Sequence, residues 1–174
     1  GYVFSGAIAG KGYASVPRDI ETVILIGPTH HVPFSGVSIP SVDAYETPLG
    51  KAPLDAELIG RLRTHDLVTD VAAAHTREHC LEVQVPFVQA VVPGAKIVPI
   101  ICGRADPAAV AALLQPVIAP RVLVVASSDL SHYHSHDEAK RIDARSIETI
   151  MTGDIDGFID GCGEVPIRVL MHLA

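Results

Sequence analysis

The chain has 174 residues, which is enough for one sizeable hydrophobic core and short for two. Hydrophobic residues make up 48% of it and charged residues 19%, so a disordered or fibrous protein is excluded. The formal net charge of -7 has no cluster of Lys and Arg set against it. Nucleic acid and anionic membrane surfaces reward such clusters, and we therefore expect neither as a partner.

The three cysteines, Cys80, Cys102 and Cys162, are odd in number and far apart, unlike a secreted disulfide scaffold. No apolar run approaches the roughly 20 residues that span a bilayer, and the first residues lack the features of a signal peptide. We expect a cytoplasmic protein with a single α/β domain over residues 1–174. The chain opens at Gly1 without an initiator Met, in what resembles a turn entering a helix, and we expect a truncated N-terminus.

Strand-like and helix-like patterns alternate along the chain. In order, they are a strand at 22–26, an irregular stretch at 32–53 with room for a hairpin or a loop over a pocket, helices at 54–64 and 78–92, a strand at 96–101, a helix at 106–118, a strand at 121–126, a helix at 136–151, and a helix beginning near Val165 or Pro166. The strands are continuous apolar runs, which suit a sheet covered on both faces. The sequence predicts a three-layer sandwich with a mostly parallel central sheet and helices on both faces.

Pro99 argues against a central place for the second of these strands. Proline has no amide hydrogen to donate to the ladder, and within sheets it is mostly confined to edge strands and bulges.

Titratable residues follow two of the three strands. His30 and His31 come after the first, and Asp129 and His132 come after the third. Ligands of open parallel sheets bind beyond the carboxyl ends of the strands, and imidazole and carboxylate are common ligands of zinc, iron and copper. A metal-binding pocket is one interpretation. The other is a surface turn after the first strand and a helix cap or Asx-turn after the third.

Five motifs occur in order along the whole chain. They are G-P-T-H-H at 27–31, Y-x-T-P-L-G at 45–50, E-H-C-L-E-V-Q-V-P-F at 78–87, S-S-D-L-S-H at 127–132, and C-G-x-x-P-I at 162–167. Together they resemble the Memo family, also called AmmeMemoRadiSam system protein B. That family is similar in fold to the class III extradiol dioxygenases, which use non-haem iron, and this similarity concerns the scaffold alone.

The resemblance implies a set of site residues. His30 and Cys162 correspond to metal ligands, and Asp129 and His132 to pocket residues that would act as acid/base groups or orient the ligands. A further family histidine belongs to a P-H-A-G-Y segment and would precede Gly1. Four more residues are expected near the pocket: His31, Tyr45, His79 and Glu82. The alternative for Tyr45 is that its side chain only packs against the core. The alternative for Glu82 and for Glu78, one turn away, is that they orient His79 or a nearby backbone group.

A second motif, H-x-x-E-H, runs from His75 to His79 and matches the inverted zinc-peptidase signature. On a helix it would place both histidines on one face, with Glu78 as a general base. However, the segment 72–76 resembles the approach to a helix starting near Thr76. We therefore expect His75 to point away from the pocket and His79 and Glu82 to approach it.

The cysteines and the histidines together define three candidate functions. Cys80 and Cys102 lie in apolar stretches and are expected to be buried, whereas glycines flank Cys162 ahead of a helix, where a thiolate is favoured. A thiolate ligand suits iron or copper, with zinc as another candidate. The resemblance implies a dioxygenase-like oxidoreductase of unknown small-molecule or peptide substrate. The alternatives are a non-catalytic adaptor that binds a peptide or a metal, and a zinc hydrolase around His75 and His79.

Overall fold

The computed structural model describes residues 1–174 and contains seven strands and seven α-helices. The strands are β1 (Thr22–Pro28), β2 (Val37–Ser38), β3 (Ala44–Thr47), β4 (Gly50–Pro53), β5 (Val68–Thr69), β6 (Lys96–Cys102) and β7 (Val122–Ala126). The helices are α1 (Ala7–Ala14), α2 (Ala56–Leu62), α3 (Ala72–Thr76), α4 (Val85–Val91), α5 (Pro107–Leu114), α6 (His136–Thr152) and α7 (Glu164–Leu173). A π-helical turn, Tyr2–Gly6, precedes α1, and 3-10 turns occupy Glu82–Gln84 and Gln115–Val117. None of the helices is both long and apolar enough to cross a membrane.

Five strands form the central sheet in the order β5, β2, β6, β1, β7. β1 lies between β6 and β7 and is parallel to both, β5 is parallel to β2, and only the pairing of β2 with β6 is antiparallel. α7 packs against β1, β7 and α5, while α1 packs against α4. The predicted fold class, a three-layer α/β sandwich with a mostly parallel sheet, is confirmed.

β1 is the centre of the hydrophobic core. Its side chains from Val23 to Ile26 have no solvent exposure, and they belong to a cluster of 31 buried residues. A central parallel strand is covered on both faces, which explains why its sequence is apolar at consecutive positions instead of alternate ones. The burial of each large aliphatic side chain contributes about 1.5–3 kcal/mol, so this strand supplies a large share of the stability.

β6 occupies a central position, so the prediction from Pro99 is wrong. β6 pairs with β1 along its full length, and Pro99 lies opposite Leu25. On its other side, β2 pairs only with Ile101 and Cys102. The short β2 does not reach Pro99, so the missing amide hydrogen removes no bond to β2.

The helix predicted at 78–92 exists only in its second half, as α4. The amides of His79 and Cys80 donate to the side chain of Glu78 instead of continuing a helix. The other predicted helices are confirmed with shifted ends. Asp55 and Asp106 cap α2 and α5 through their side chains, which accept backbone N–H groups of the first turn.

The irregular stretch at 32–53 contains a hairpin, as its composition suggested. β3 and β4 pair antiparallel and form a separate two-stranded sheet. Gly50 follows the turn with a φ of 108°, a conformation that side-chain-bearing residues rarely adopt. The hairpin carries Tyr45, which packs against the hydrophobic core.

Candidate metal centre

A cavity of about 870 Å³ runs along β7 and past the carboxyl ends of β1 and β7. Part of its lining is apolar and comes from the N-terminal turn, α1, β7 and α7, with Phe4, Ile8, Tyr13, Leu123, Val125 and Leu170. The lining also includes the polar side chains of His30, His79, Gln84, Ser128, Asp129, His132, Asp143 and Cys162. The cavity therefore combines apolar residues with a group of titratable side chains, as ligand sites commonly do.

The structure brings five of the predicted site residues to the wall of this cavity: His30, His79, Asp129, His132 and Cys162. The other three, His31, Tyr45 and Glu82, do not line it. The strand order accounts for this grouping, because β1 and β7 are neighbouring parallel strands whose carboxyl ends meet at one edge.

Two hydrogen bonds join His30 to Glu78. Nδ1 of His30 lies 2.9 Å from Oε1 of Glu78, and the amide of His30 donates to Oε2 at 2.8 Å. The Glu78 side chain is 1% exposed, while that of His30 is 34% exposed. A buried carboxylate thus holds both the backbone and the ring of a histidine that faces the cavity.

Glu78 also organises its own turn. Oε1 accepts the amide hydrogens of His79 at 3.0 Å and Cys80 at 3.3 Å. Burial by itself would raise the pKa of Glu78, but the hydrogen bonds from His30, His79 and Cys80 outweigh it and lower the pKa to about 2. Glu78 is therefore a carboxylate at neutral pH, and the turn after α3 is fastened to the end of β1.

His30, Glu78 and Cys80 place one ligand-type atom each within 4.8 Å of one another. Atoms this close could share one metal ion, so the structure supports a metal at this edge of the sheet without identifying it. The Cys80 thiol also contacts the carbonyl oxygen of Pro28 at 3.4 Å. Gly27 allows this approach, because a Cβ at that position would lie 2.4 Å from the Cys80 sulfur.

Cys162 is tied to the loop that follows β7. The amide of Asp129 donates to Sγ of Cys162 at 3.3 Å, and the amide of Cys162 donates to the carbonyl of Asp129 at 3.3 Å. The amide of Gly163 donates to the Ser128 hydroxyl at 2.9 Å. The Asp129 amide hydrogen is therefore directed at the sulfur of Cys162, which lies on the wall of the cavity.

Gly163 allows the loop of Cys162 to approach the loop after β7. We therefore predict that Gly163→Ala destabilises the protein. A Cβ at this position would lie 2.5 Å from the carbonyl oxygen of Ser127, so backbone would have to move. The expected loss in the free energy of unfolding is about 1–3 kcal/mol, as for other overpacked sites. Chemical denaturation measures it.

Gly60→Ala provides the matched control for that substitution. Gly60 lies within α2, and a Cβ there would meet nothing within 4 Å. We expect an unchanged or higher stability, by up to about 1 kcal/mol, because alanine favours helix. Equal stability of Gly163→Ala and Gly60→Ala would contradict the close approach of the two loops.

Asp129 and His132 lie on exposed parts of the loop after β7. This loop is anchored to α6, because the amide of Ser131 donates to Asp143 at 3.0 Å. Both side chains line the cavity and reach solvent. They are therefore placed where proton exchange between a bound molecule and water is feasible.

The H-x-x-E-H segment does not lie on one helix. His75 belongs to α3, which ends at Thr76, so the expectation that a helix starts there is wrong. Its Nε2 lies 2.9 Å from the Ser38 hydroxyl, and it does not line the cavity. His79 instead stacks beside His30, with ring centroids 5.9 Å apart. The geometry that a zinc peptidase needs from this motif is not formed.

Tyr45 and Glu82 lie close to each other. Burial raises the pKa of the Tyr45 phenol, and the nearby carboxylate of Glu82 raises it further. His31 is exposed, with its ring centroid 6.4 Å from that of His30. Their expected roles at the pocket stay predictions.

A hydrogen-bonded chain of Tyr13, Gln84 and Ser127 at the site was not predicted from the sequence. Tyr13 donates to Oε1 of Gln84 at 3.1 Å, and Nε2 of Gln84 donates to the Ser127 hydroxyl at 2.9 Å. Ser127 in turn donates to the carbonyl of Cys80 at 2.8 Å. Gln84 and Ser127 lie inside two of the five motifs, which was the one signal available for them.

Comparisons with known proteins agree with the motif resemblance. A family model described as "Memo-like protein" matches residues 1–174. The MEMO1 family protein of Caldivirga maquilingensis is 38% identical over 168 residues, which cover 91% of this chain and 59% of that protein. The MEMO1 family protein of Archaeoglobus fulgidus is 35% identical over 189 residues, covering 99% of this chain and 70% of that protein. The chain therefore spans about three fifths to seven tenths of the length of these relatives.

Proposed function

This chain belongs to the Memo-like family, and from that premise we propose that it binds iron or copper between His30 and Cys162 and acts as a dioxygenase-like oxidoreductase. The observation that carries the proposal is the pairing of a cavity-facing histidine, held at Nδ1 by buried Glu78, with a cysteine on the wall of the same cavity. The substrate would be a small molecule or peptide that enters this cavity.

The donor set fits such a metal. With Nδ1 of His30 engaged by Glu78, Nε2 keeps a lone pair for coordination. Cys162 adds a sulfur donor that already receives an amide hydrogen from Asp129. Imidazole with thiolate suits iron, copper and zinc better than magnesium or calcium. Bound iron or copper would supply redox chemistry, which zinc does not.

The chain's own residues would bind the substrate and move protons. The apolar wall formed by α1, β7 and α7 favours a substrate with an apolar part, because it removes that part from water. Asp129 and His132 line the cavity and could take up or release protons during the reaction. A volume near 870 Å³ is within the range that holds a small organic molecule.

Metal analysis tests the proposal. Protein purified with added iron, copper or zinc should retain close to one ion of iron or copper, and His30→Ala and Cys162→Ser should lose it. Loss of a residue that only hydrogen-bonds a metal ligand weakens metal affinity by roughly 10- to 100-fold. We expect each of these two substitutions to weaken it by more, because each removes a ligand. Mass spectrometry and titration calorimetry provide the measurements. His136→Ala, an exposed histidine at the start of α6, is the control and should bind as the wild type does.

A folded protein that takes up none of these metals would contradict the proposal. It would favour the alternative, a non-catalytic adaptor that captures a peptide, for which the apolar wall of the cavity is the supporting observation. Zinc retained by Cys162→Ser but lost on substitution of His75 would instead favour the hydrolase.

A further inference from the structure

We infer that Glu78 is a positioning residue that fixes the tautomer of His30, so that Nε2 and not Nδ1 is the metal-binding nitrogen. The inference rests on the proposed function, because it assigns a role to the side chain behind the proposed ligand. It also sets aside the arrangement in which His30, Glu78 and Cys80 hold the ion among themselves.

The first step concerns the proton on His30. A neutral imidazole carries one proton, on either Nδ1 or Nε2. Oε1 of the Glu78 carboxylate lies 2.9 Å from Nδ1 and has no hydrogen of its own to donate. The proton therefore resides on Nδ1, and the lone pair is left on Nε2.

The second step concerns the capacity of Glu78. Its two oxygens already accept hydrogens from four N–H groups, namely the ring and amide of His30 and the amides of His79 and Cys80. A metal ion bound at these oxygens would displace at least one of those donors. The displaced donor would lose its hydrogen bond to the buried carboxylate, which opposes coordination by Glu78.

The third step concerns the direction in which His30 can bind. Its Nδ1 side is closed by Glu78, whose side chain is 1% exposed, while His30 itself lines the cavity shared with Cys162. Coordination through Nε2 leaves every hydrogen bond of Glu78 intact. A carboxylate that orients a metal-binding histidine in this way also increases the basicity of the ring.

Nuclear magnetic resonance of the ¹⁵N-labelled, metal-free protein reads the tautomer directly. We expect the neutral His30 ring to carry its proton on Nδ1. The side-chain amide of Glu78→Gln cannot accept all four hydrogen bonds, because its nitrogen would face one of the N–H groups. The preference of the His30 proton for Nδ1 should therefore weaken. Glu148→Gln, an exposed glutamate on α6, is the matched control and should leave the His30 signals unchanged.

Zinc titration separates a positioning role from direct ligation. If Glu78 is a positioning residue, Glu78→Gln should weaken zinc affinity by roughly 10- to 100-fold, less than the loss in His30→Ala. A zinc loss in Glu78→Gln as large as that in His30→Ala, with the tautomer unchanged, would make Glu78 a ligand and overturn the inference.

The wild-type protein decides the matter even where Glu78→Gln fails to fold. A His30 ring protonated at Nε2 in the metal-free wild type would overturn the inference. If His30→Ala binds metal as tightly as the wild type, the proposed function fails. The measured tautomer still reports whether Glu78 holds the ring, so the two failures are distinguishable.

Discussion

Replacing Glu78 with alanine should lower the free energy of unfolding by about 3 kcal/mol or more, because four N–H donors around one buried carboxylate lose their acceptor at once. The carboxylate accepts both the ring and the amide of His30, together with the amides of His79 and Cys80. Without it, the turn that joins α3 to α4 is no longer fastened to the end of β1. Chemical denaturation at neutral pH measures the loss.

Glu148→Ala is the control, since this glutamate is exposed on α6 and should change stability by no more than about 0.5 kcal/mol. The pH dependence adds a second criterion. The pKa of Glu78 is about 2, below its ordinary value of 4.5, so its contribution is complete above the ordinary value and is lost as pH falls toward 2. The deficit of Glu78→Ala should therefore be constant at neutral pH and shrink below about pH 4. A deficit independent of pH down to about 3 would show that the carboxylate is not responsible.

The sheet could be predicted because its strands are buried on both faces. Continuous apolar runs such as Val23 to Ile26 are typical of such strands, and their alternation with helical patterns restricts the topology. β2 and β5 escaped prediction because each has only two residues, too few for a period to be visible. Their places depend on contacts with β6 and with each other.

The grouping of His30 with Asp129 and His132 followed from strand ends, since neighbouring parallel strands deliver their following residues to one edge. The position of Cys162 was predicted from the family motif and from its place ahead of a helix. Its contact with the loop after β7 could not be predicted, because it depends on a close approach of two loops through Gly161 and Gly163. No periodicity in the sequence reports such an approach.

The role of Glu78 in holding His30 was not predicted, and the reason is local. An apolar pattern from 78 to 92 predicts a helix, which would turn Glu78 into an ordinary first-turn acid. In the structure, the buried carboxylate accepts the amides that would have extended that helix. The four hydrogen bonds that the buried Glu78 carboxylate accepts outweigh helix propensity, which is worth less than about 1 kcal/mol per residue.

Cys162 should react with iodoacetamide at least about a hundredfold faster than Cys80 or Cys102 in the metal-free protein, because the thiolate and its access to solvent control the rate. Cys80 is 8% exposed and Cys102 is 3% exposed. Burial raises the pKa of both thiols, that of Cys102 to about 12, and nearby Glu78 raises the pKa of Cys80 further. Cys162 instead lines the cavity and accepts an amide hydrogen from Asp129.

Bound metal should then protect Cys162 and leave the slow labelling of the other two cysteines unchanged, because coordination occupies the sulfur lone pair. Mass spectrometry of the labelled peptides, with and without added zinc or copper, gives the three rates separately. His30→Ala supplies a critical comparison. It should remove the protection without altering the rate in the metal-free protein, since His30 acts on Cys162 only through the shared ion. Equal labelling of all three cysteines, with no protection by any metal, would leave Cys162 a structural residue and favour the adaptor over the oxidoreductase.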